Sequence, residues 1–230
     1  MLSNIKTIDE LFSWWKHERP NYEPFSNDGI LVEEAWQMAS PKIAFILKES
    51  NDDFVDIRGQ AWGPSGNSPR FWRNLNIWKY VVTSLFHGES PSLERAMVLK
   101  EEPLGDVAYV NLKKKAECKS TSYDPDISKY VEDDWSFLSR QIEIISPDVL
   151  FFCGTFRFVQ AKIEFTSIGQ GVFRVGGQIA VDFFHPSCRK GYEETFSLLR
   201  NRLGCLKLSP KQANNVCDNR SLKIVGAKDN

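Results

Sequence analysis

Four separated points of the chain hold the residues best suited to chemistry. His185 closes the apolar run V-D-F-F and is followed by Pro186 and Ser187. A histidine held in such a turn is either a strand-end cap or a group that gives and takes a proton near neutral pH. Histidines occur only at 17, 87 and 185, and just the last ends an apolar run. The run K-I-A-F-I-L leads into Lys48, Glu49, Ser50 and Asn51, a carboxylate and an amide of the kind that orient water or stabilise a cation. Asn111, whose amide offers both a donor and an acceptor, precedes Lys113, Lys114 and Lys115, with Lys119 shortly after. Gly154-Thr155 follows D-V-L-F-F-C and is suited to opening a helix. Further basic residues stand at Arg70 and Arg73, beside Trp72, and at Arg189 and Lys190. Charge clusters of this type are ordinarily solvated surface, so their weight depends on where the fold puts them.

The elements that must position these residues are legible as four apolar runs, 42–47, 106–112, 148–153 and 179–184. Near-continuous apolar character is what strands covered on both faces show, which favours a parallel sheet. Helical patterns fall at 8–17, 30–38, 71–86, 127–145, 156–163 and 192–203, and F-R-V-G-G from Phe173 suggests a short strand and turn before the last run. The alternation predicts a three-layer α/β/α fold around a mainly parallel, four-stranded sheet. In such a sheet ligands lie beyond the carboxyl ends of the strands, which is where all four points fall. Trp14, Trp15 and the stretch from Phe71 to Trp78 read mainly as core by helical spacing, whereas Trp62 sits in a Gly/Pro/Ser/Asn loop and is the tryptophan expected at a site.

Composition limits the alternatives. The chain has 230 residues, 42% hydrophobic and 26% charged, enough for one sizeable core; one domain over 1–208 and a polar tail over 209–230, with a short edge strand at L-K-I-V, are expected. No secretory h-region or membrane-length apolar run is present, and a cytoplasmic monomer is expected. The net charge of −1 argues against nucleic-acid binding through overall charge but not through local patches. Five cysteines, an odd number without a C-x-x-C pair, imply neither a disulfide framework nor a metal or iron-sulfur site. No Gly-rich phosphate fingerprint follows the first strand, so no cofactor is expected.

With F-H-P-S at 184–187, Y-V-N-L at 109–112 and D-V-L-F-F-C-G-T at 148–155, in that spatial logic of strand ends, the segment from about residue 40 to 206 resembles the uracil-DNA glycosylase superfamily. The resemblance implies a metal-free, monofunctional hydrolase that flips a pyrimidine out of DNA and cleaves its N-glycosidic bond. His185 is then the donor to the departing base and Asn111 the reader of the base edge. An aromatic among Phe54, Trp62 and Phe71 faces the base, and Ser187, Arg189 and Lys190 meet the DNA, as do Lys113, Lys114 and Lys115, which either grip its backbone or recognise an added group on the base. The first motif departs from the family: Lys48 stands where glycine is usual, Ser50 where an aspartate or asparagine positions water, and Asn51 where proline follows. Glu49 or Asn51 is left to take the catalytic role beside His185. Some members of the superfamily resemble bacterial defence enzymes that remove modified cytosine from phage DNA, and the altered motif with its lysines suits such a base as well as uracil. Two other readings differ in class: a DNA-binding module that keeps the fold without catalysis, and an unrelated small-molecule hydrolase with Cys153 as nucleophile.

Overall fold

The computed structural model describes residues 2–50, 56–65, 68–116 and 123–204. Its elements are α1 (Ile8–Glu18), α2 (Glu33–Met38), β1 (Ile43–Glu49), α3 (Pro69–Phe86), α4 (Leu93–Leu99), β2 (Val107–Lys113), α5 (Asp124–Ile145), β3 (Val149–Cys153), α6 (Phe156–Val159), β4 (Thr166–Gly169), β5 (Val172–Val175), β6 (Gln178–Phe183) and α7 (Tyr192–Leu203). The sheet has six strands in the order β2-β1-β3-β6-β5-β4, rather than the four expected. The four predicted strands are all present and mutually parallel. The additions are antiparallel: β5, foreshadowed by F-R-V-G-G, and β4, which was not expected because T-S-I-G is short, polar and partly exposed at the sheet edge.

Alternate residues of each parallel strand enter two separate cores. Ala44, Ile46, Ala108, Val110, Leu150 and Phe152 pack with residues of α1 and α5, while Phe45, Leu47, Tyr109, Phe151, Val181 and Phe183 pack with α3 and α7. Both faces are thus covered, which is why the runs read as continuously apolar. From β1 the chain goes out to β2 on one side and then crosses to β3 on the other. The order reverses between β1 and β3, which opens a crevice beyond their carboxyl ends.

Several boundaries differ from the predicted ones. β1 and β2 run on through Glu49 and Lys113, so residues expected in loops belong to strands. The helix expected from Ile30 starts at Glu33, because residues 25–31 lie antiparallel along the outer edge of β2. Ser26 N donates to Lys114 O (2.7 Å), Tyr109 N to Gly29 O (2.8 Å) and Leu31 N to Val107 O (3.0 Å). This segment closes an edge that would otherwise be open to pairing. α6 ends four residues early, and α4, too short for a periodic signal, is capped by Ser92 Oγ accepting from Arg95 N at 3.2 Å. No described helix is long and apolar enough to cross a membrane.

The start of α1 is fixed by a reciprocal cap. Thr7 Oγ1 accepts from Glu10 N (3.2 Å) and Glu10 Oε2 accepts from Thr7 N (3.3 Å), which satisfies two of the amides that a helix start leaves orphaned. Thr7→Ala is expected to cost about 1 kcal/mol of stability, measurable as a lowered urea midpoint with an unchanged m-value.

Candidate functional site

β6 ends at Phe183, and the chain leaves it through a turn in which Cys188 N donates to His185 O at 2.9 Å. Within the turn, Ser187 N donates to His185 Nδ1 at 3.2 Å. An imidazole nitrogen that accepts carries no proton, so the neutral ring holds its proton on Nε2 and presents it as a donor. The ring keeps an edge open to solvent at the rim of a cleft. Protein packed around it, and then the Lys48 ammonium nearby, lower its pKa below the ordinary 6.5.

Helix α3 supports this turn from one side. The Phe71 ring lies 6.1 Å from the His185 ring and 6.2 Å from that of Tyr109, bridging the turn after β6 and the body of β2. Trp72 packs on Tyr109 (5.6 Å) and stacks on Trp62 at 5.9 Å with only 9° between planes. Trp62 Nε1 donates to Ile57 O at 2.9 Å. Of the three aromatics proposed from sequence, Phe71 therefore borders His185. Trp62 is the outer member of the same aromatic row, and Phe54 lies outside the described residues, as does Asn51. In the stretch expected to be mainly core, Trp78 is fully buried but Phe71 and Trp72 are only partly so.

Asn111 is buried two residues beyond Tyr109, on the same face of β2, and pairs in register with Leu47 of β1. Its backbone N donates to Asp28 Oδ2 at 2.8 Å, while among the described residues its side-chain amide makes no hydrogen bond. Next in register, Glu49 Oε2 pairs with Lys113 Nζ at 3.2 Å, and both side chains are almost wholly buried. Lys113 also lies over the Tyr130 ring, 5.2 Å from its centroid. Lys114 is completely buried and donates to Asp28 Oδ1 at 2.6 Å. The expectation that Lys113 and Lys114 grip DNA is thereby corrected: each neutralises a buried carboxylate rather than facing solvent. Lys115 is half-buried and its backbone forms an antiparallel bridge with Phe25, and Lys119 lies outside the described residues.

No family model matches the chain, and no curated protein matches it.

The other side of His185 opens on a cleft of about 490 Å³, lined by Lys48, Gly154, Arg157, Asp182, Phe184 and Arg202 among others. Lys48 points away from Glu49, as alternation along β1 requires, and donates to Asp124 Oδ1 at 3.1 Å. Arg157 holds Asp124 Oδ2 (2.7 Å) and Gly154 O (2.9 Å). Gly154 leaves β3 at φ +72°, a conformation that costs a side-chain-bearing residue, and its N–H donates to Phe183 O at 2.7 Å, tying the end of β3 to the end of β6. Burial raises the pKa of the Asp182 carboxyl, with Arg202 and Arg157 opposing the shift. Cys153, at the back of the cleft, is buried and its thiol pKa is pushed well up by burial. That is the reverse of what an attacking thiolate requires, which removes the support for a cysteine hydrolase.

Beyond the turn, Ser187 and Arg189 are exposed and Lys190 pairs with Glu194. Arg70 Nη1 donates to Lys190 O (3.1 Å) and, more weakly, to Cys188 O (3.4 Å). Lys48 adds positive charge at this edge together with Arg157 and Arg202, which the sequence does not single out because they come from distant elements. The assembled chemistry is a neutral imidazole donor beside an aromatic face, the Asn111 amide three strands away on β2, and a cation-rich rim. Such a set can donate a hydrogen bond to a planar polar group and offer it an aromatic face.

Proposed function

We propose that the protein is a monofunctional DNA glycosylase that flips a pyrimidine, uracil or a modified cytosine, and hydrolyses its N-glycosidic bond. The single observation that carries this reading is the His185 ring: Nδ1 engaged by Ser187 N, Nε2 left as a donor, and Phe71 alongside. As the bond to the sugar breaks, negative charge moves onto the base, and a preorganised Nε2–H donor to a base oxygen stabilises the transition state more than the ground state. The Asn111 amide supplies a donor and an acceptor to the base edge. Phe71 offers a face on which the extruded base stacks, offsetting the few kcal/mol of unstacking. The developing sugar cation and the attacking water fall to the segment from Glu49 to Asn51. Glu49 is partly neutralised by Lys113, so its field on the sugar is weaker than that of a lone carboxylate. Arg189 and the neighbouring cations suit the phosphates.

The test is incubation of the purified protein with oligonucleotides carrying uracil or a set of modified cytosines, followed by alkali. Strand breaks at the modified position are expected, and intact strands across the whole panel would sink the reading. Ser50, at the place where the resemblance implies an acid, favours one other outcome, a DNA-binding module: retained DNA affinity with no base release. In an active protein, Phe71→Ala is expected to weaken binding of the flipped nucleotide by about 1–3 kcal/mol, read as a raised KM in steady-state excision.

A further inference from the structure

Asn74 lies on α3 one turn after Phe71, completely buried, yet it belongs to neither the aromatic row nor the rim of the cleft. Its Nδ2 donates to Pro186 O at 2.6 Å. A carbonyl only accepts, so the amide face turned toward it is the NH₂. The opposite atom, Asn74 Oδ1, is buried without a hydrogen-bond partner among the described residues, and leaving an acceptor so placed costs stability. The one hydrogen bond the side chain makes is therefore the contact to Pro186 O.

That contact acts on a single peptide unit. Pro186 C=O and Ser187 N–H belong to the same planar group, and in a trans peptide they point in opposite directions. Asn74 holds the oxygen end, and the N–H end is the donor to His185 Nδ1. We infer that Asn74 is a positioning residue that sets the tautomer and ring orientation of His185 through the Pro186–Ser187 peptide. Proline at 186 suits this role, since it fixes its own φ and brings no N–H to compete. Arg70, on the preceding turn of α3, fixes the following carbonyls of the same loop. The catalytic importance of this relay rests on the glycosylase reading; the relay itself does not.

The imidazole nitrogens of His185 can be read directly by long-range ¹H–¹⁵N correlation spectra of the labelled full chain at neutral pH. In the wild type Nδ1 is expected to be unprotonated and Nε2 protonated. A wild-type ring with its proton on Nδ1 would overturn the inference without recourse to any variant. In Asn74→Ala the two nitrogens are expected to move toward each other in shift, as the tautomers mix. On a substrate found for the wild type, kcat is expected to fall roughly 10- to 100-fold, as supporting residues of this kind do, with KM little changed. A folded Asn74→Ala protein with wild-type nitrogen shifts would refute the relay. A wild type that releases no base, but whose ring responds to Asn74→Ala as described, would refute the glycosylase reading and leave the relay standing.

Discussion

His185→Ala is expected to lower the single-turnover rate of base excision about 100- to 1,000-fold, the loss that follows removal of one preorganised donor to a developing anion. DNA affinity should change little, because the donor matters most in the transition state. The acid limb of the wild-type profile tests the same assignment. Protonating the ring puts a proton on Nδ1, which breaks its bond from Ser187 N, and sets a second positive charge near Lys48. Packing and that charge both disfavour the protonated form, so the folded-state pKa lies below 6.5. The reactive neutral tautomer therefore persists through neutrality, and the excision rate should fall only as pH drops past a midpoint under 6.5. Lys48→Met removes one of the two causes and is expected to move that midpoint upward. A midpoint above 6.5 in the wild type, or a His185→Ala protein of unchanged rate, would remove His185 from the reaction.

Why this histidine was legible from sequence, and other parts of the site were not, follows from the range of the interactions involved. The turn at 184–188 is local: an apolar strand, proline and a small hydroxyl residue determine its geometry within five positions. The four parallel strands were legible for a related reason, since burial on both faces leaves its mark on every residue. K-K-K at 113–115 reads as solvated surface because nothing within a helical or strand window offers a partner. Glu49 is 64 residues from Lys113 and Asp28 is 86 from Lys114, and only the parallel pairing of β1 with β2 and the closing of the β2 edge by residues 25–31 bring them together. Asn74 did carry a faint signal. It interrupts the apolar stripe that runs through Phe71, Leu75, Trp78 and Val82 of α3, and a polar residue on such a face must find a partner or be a liability. The partner, Pro186, is 112 positions away, so the stripe marks Asn74 as unusual without saying what it holds. β4 left no mark at all, because an edge strand of four residues, mostly in contact with water, has no need of apolar character.

Asp28→Ala is expected to destabilise the fold by about 3–5 kcal/mol, the usual cost of removing one partner from a buried ion pair. Asp28 has no contact with solvent and accepts three hydrogen bonds: from Lys114 Nζ (2.6 Å), Gln141 Nε2 (2.7 Å) and Asn111 N (2.8 Å). It thereby joins the edge segment, the end of β2 and the C-terminal part of α5. Burial lowers the Lys114 pKa and Asp28 holds it up, so without the carboxylate the desolvation of the ammonium is unopposed. The rings of Trp15 and Phe12, 5.4 and 5.6 Å from Nζ, soften that penalty but cannot supply a counter-charge. Set against a stability of about 5–15 kcal/mol for a domain of ordinary kind, the loss is a large fraction of the whole. Lys114→Met should cost less, since the carboxylate keeps two N–H donors. The double variant Asp28→Ala, Lys114→Met is expected to be more stable than the sum of the single changes predicts, because neither charge is left alone; Asn111 N and Gln141 Nε2 still lose their acceptor, so recovery is incomplete. Urea unfolding of the four proteins, followed by tryptophan fluorescence, gives the coupling directly. Additive single effects, each within about 1 kcal/mol of the wild type, the range of an exposed pair, would mean that the pair does not hold the β2 edge. A stable Asp28→Asn protein would separate the structural from the positional role, since it keeps the shape around Asn111 N while losing the charge that Lys114 requires.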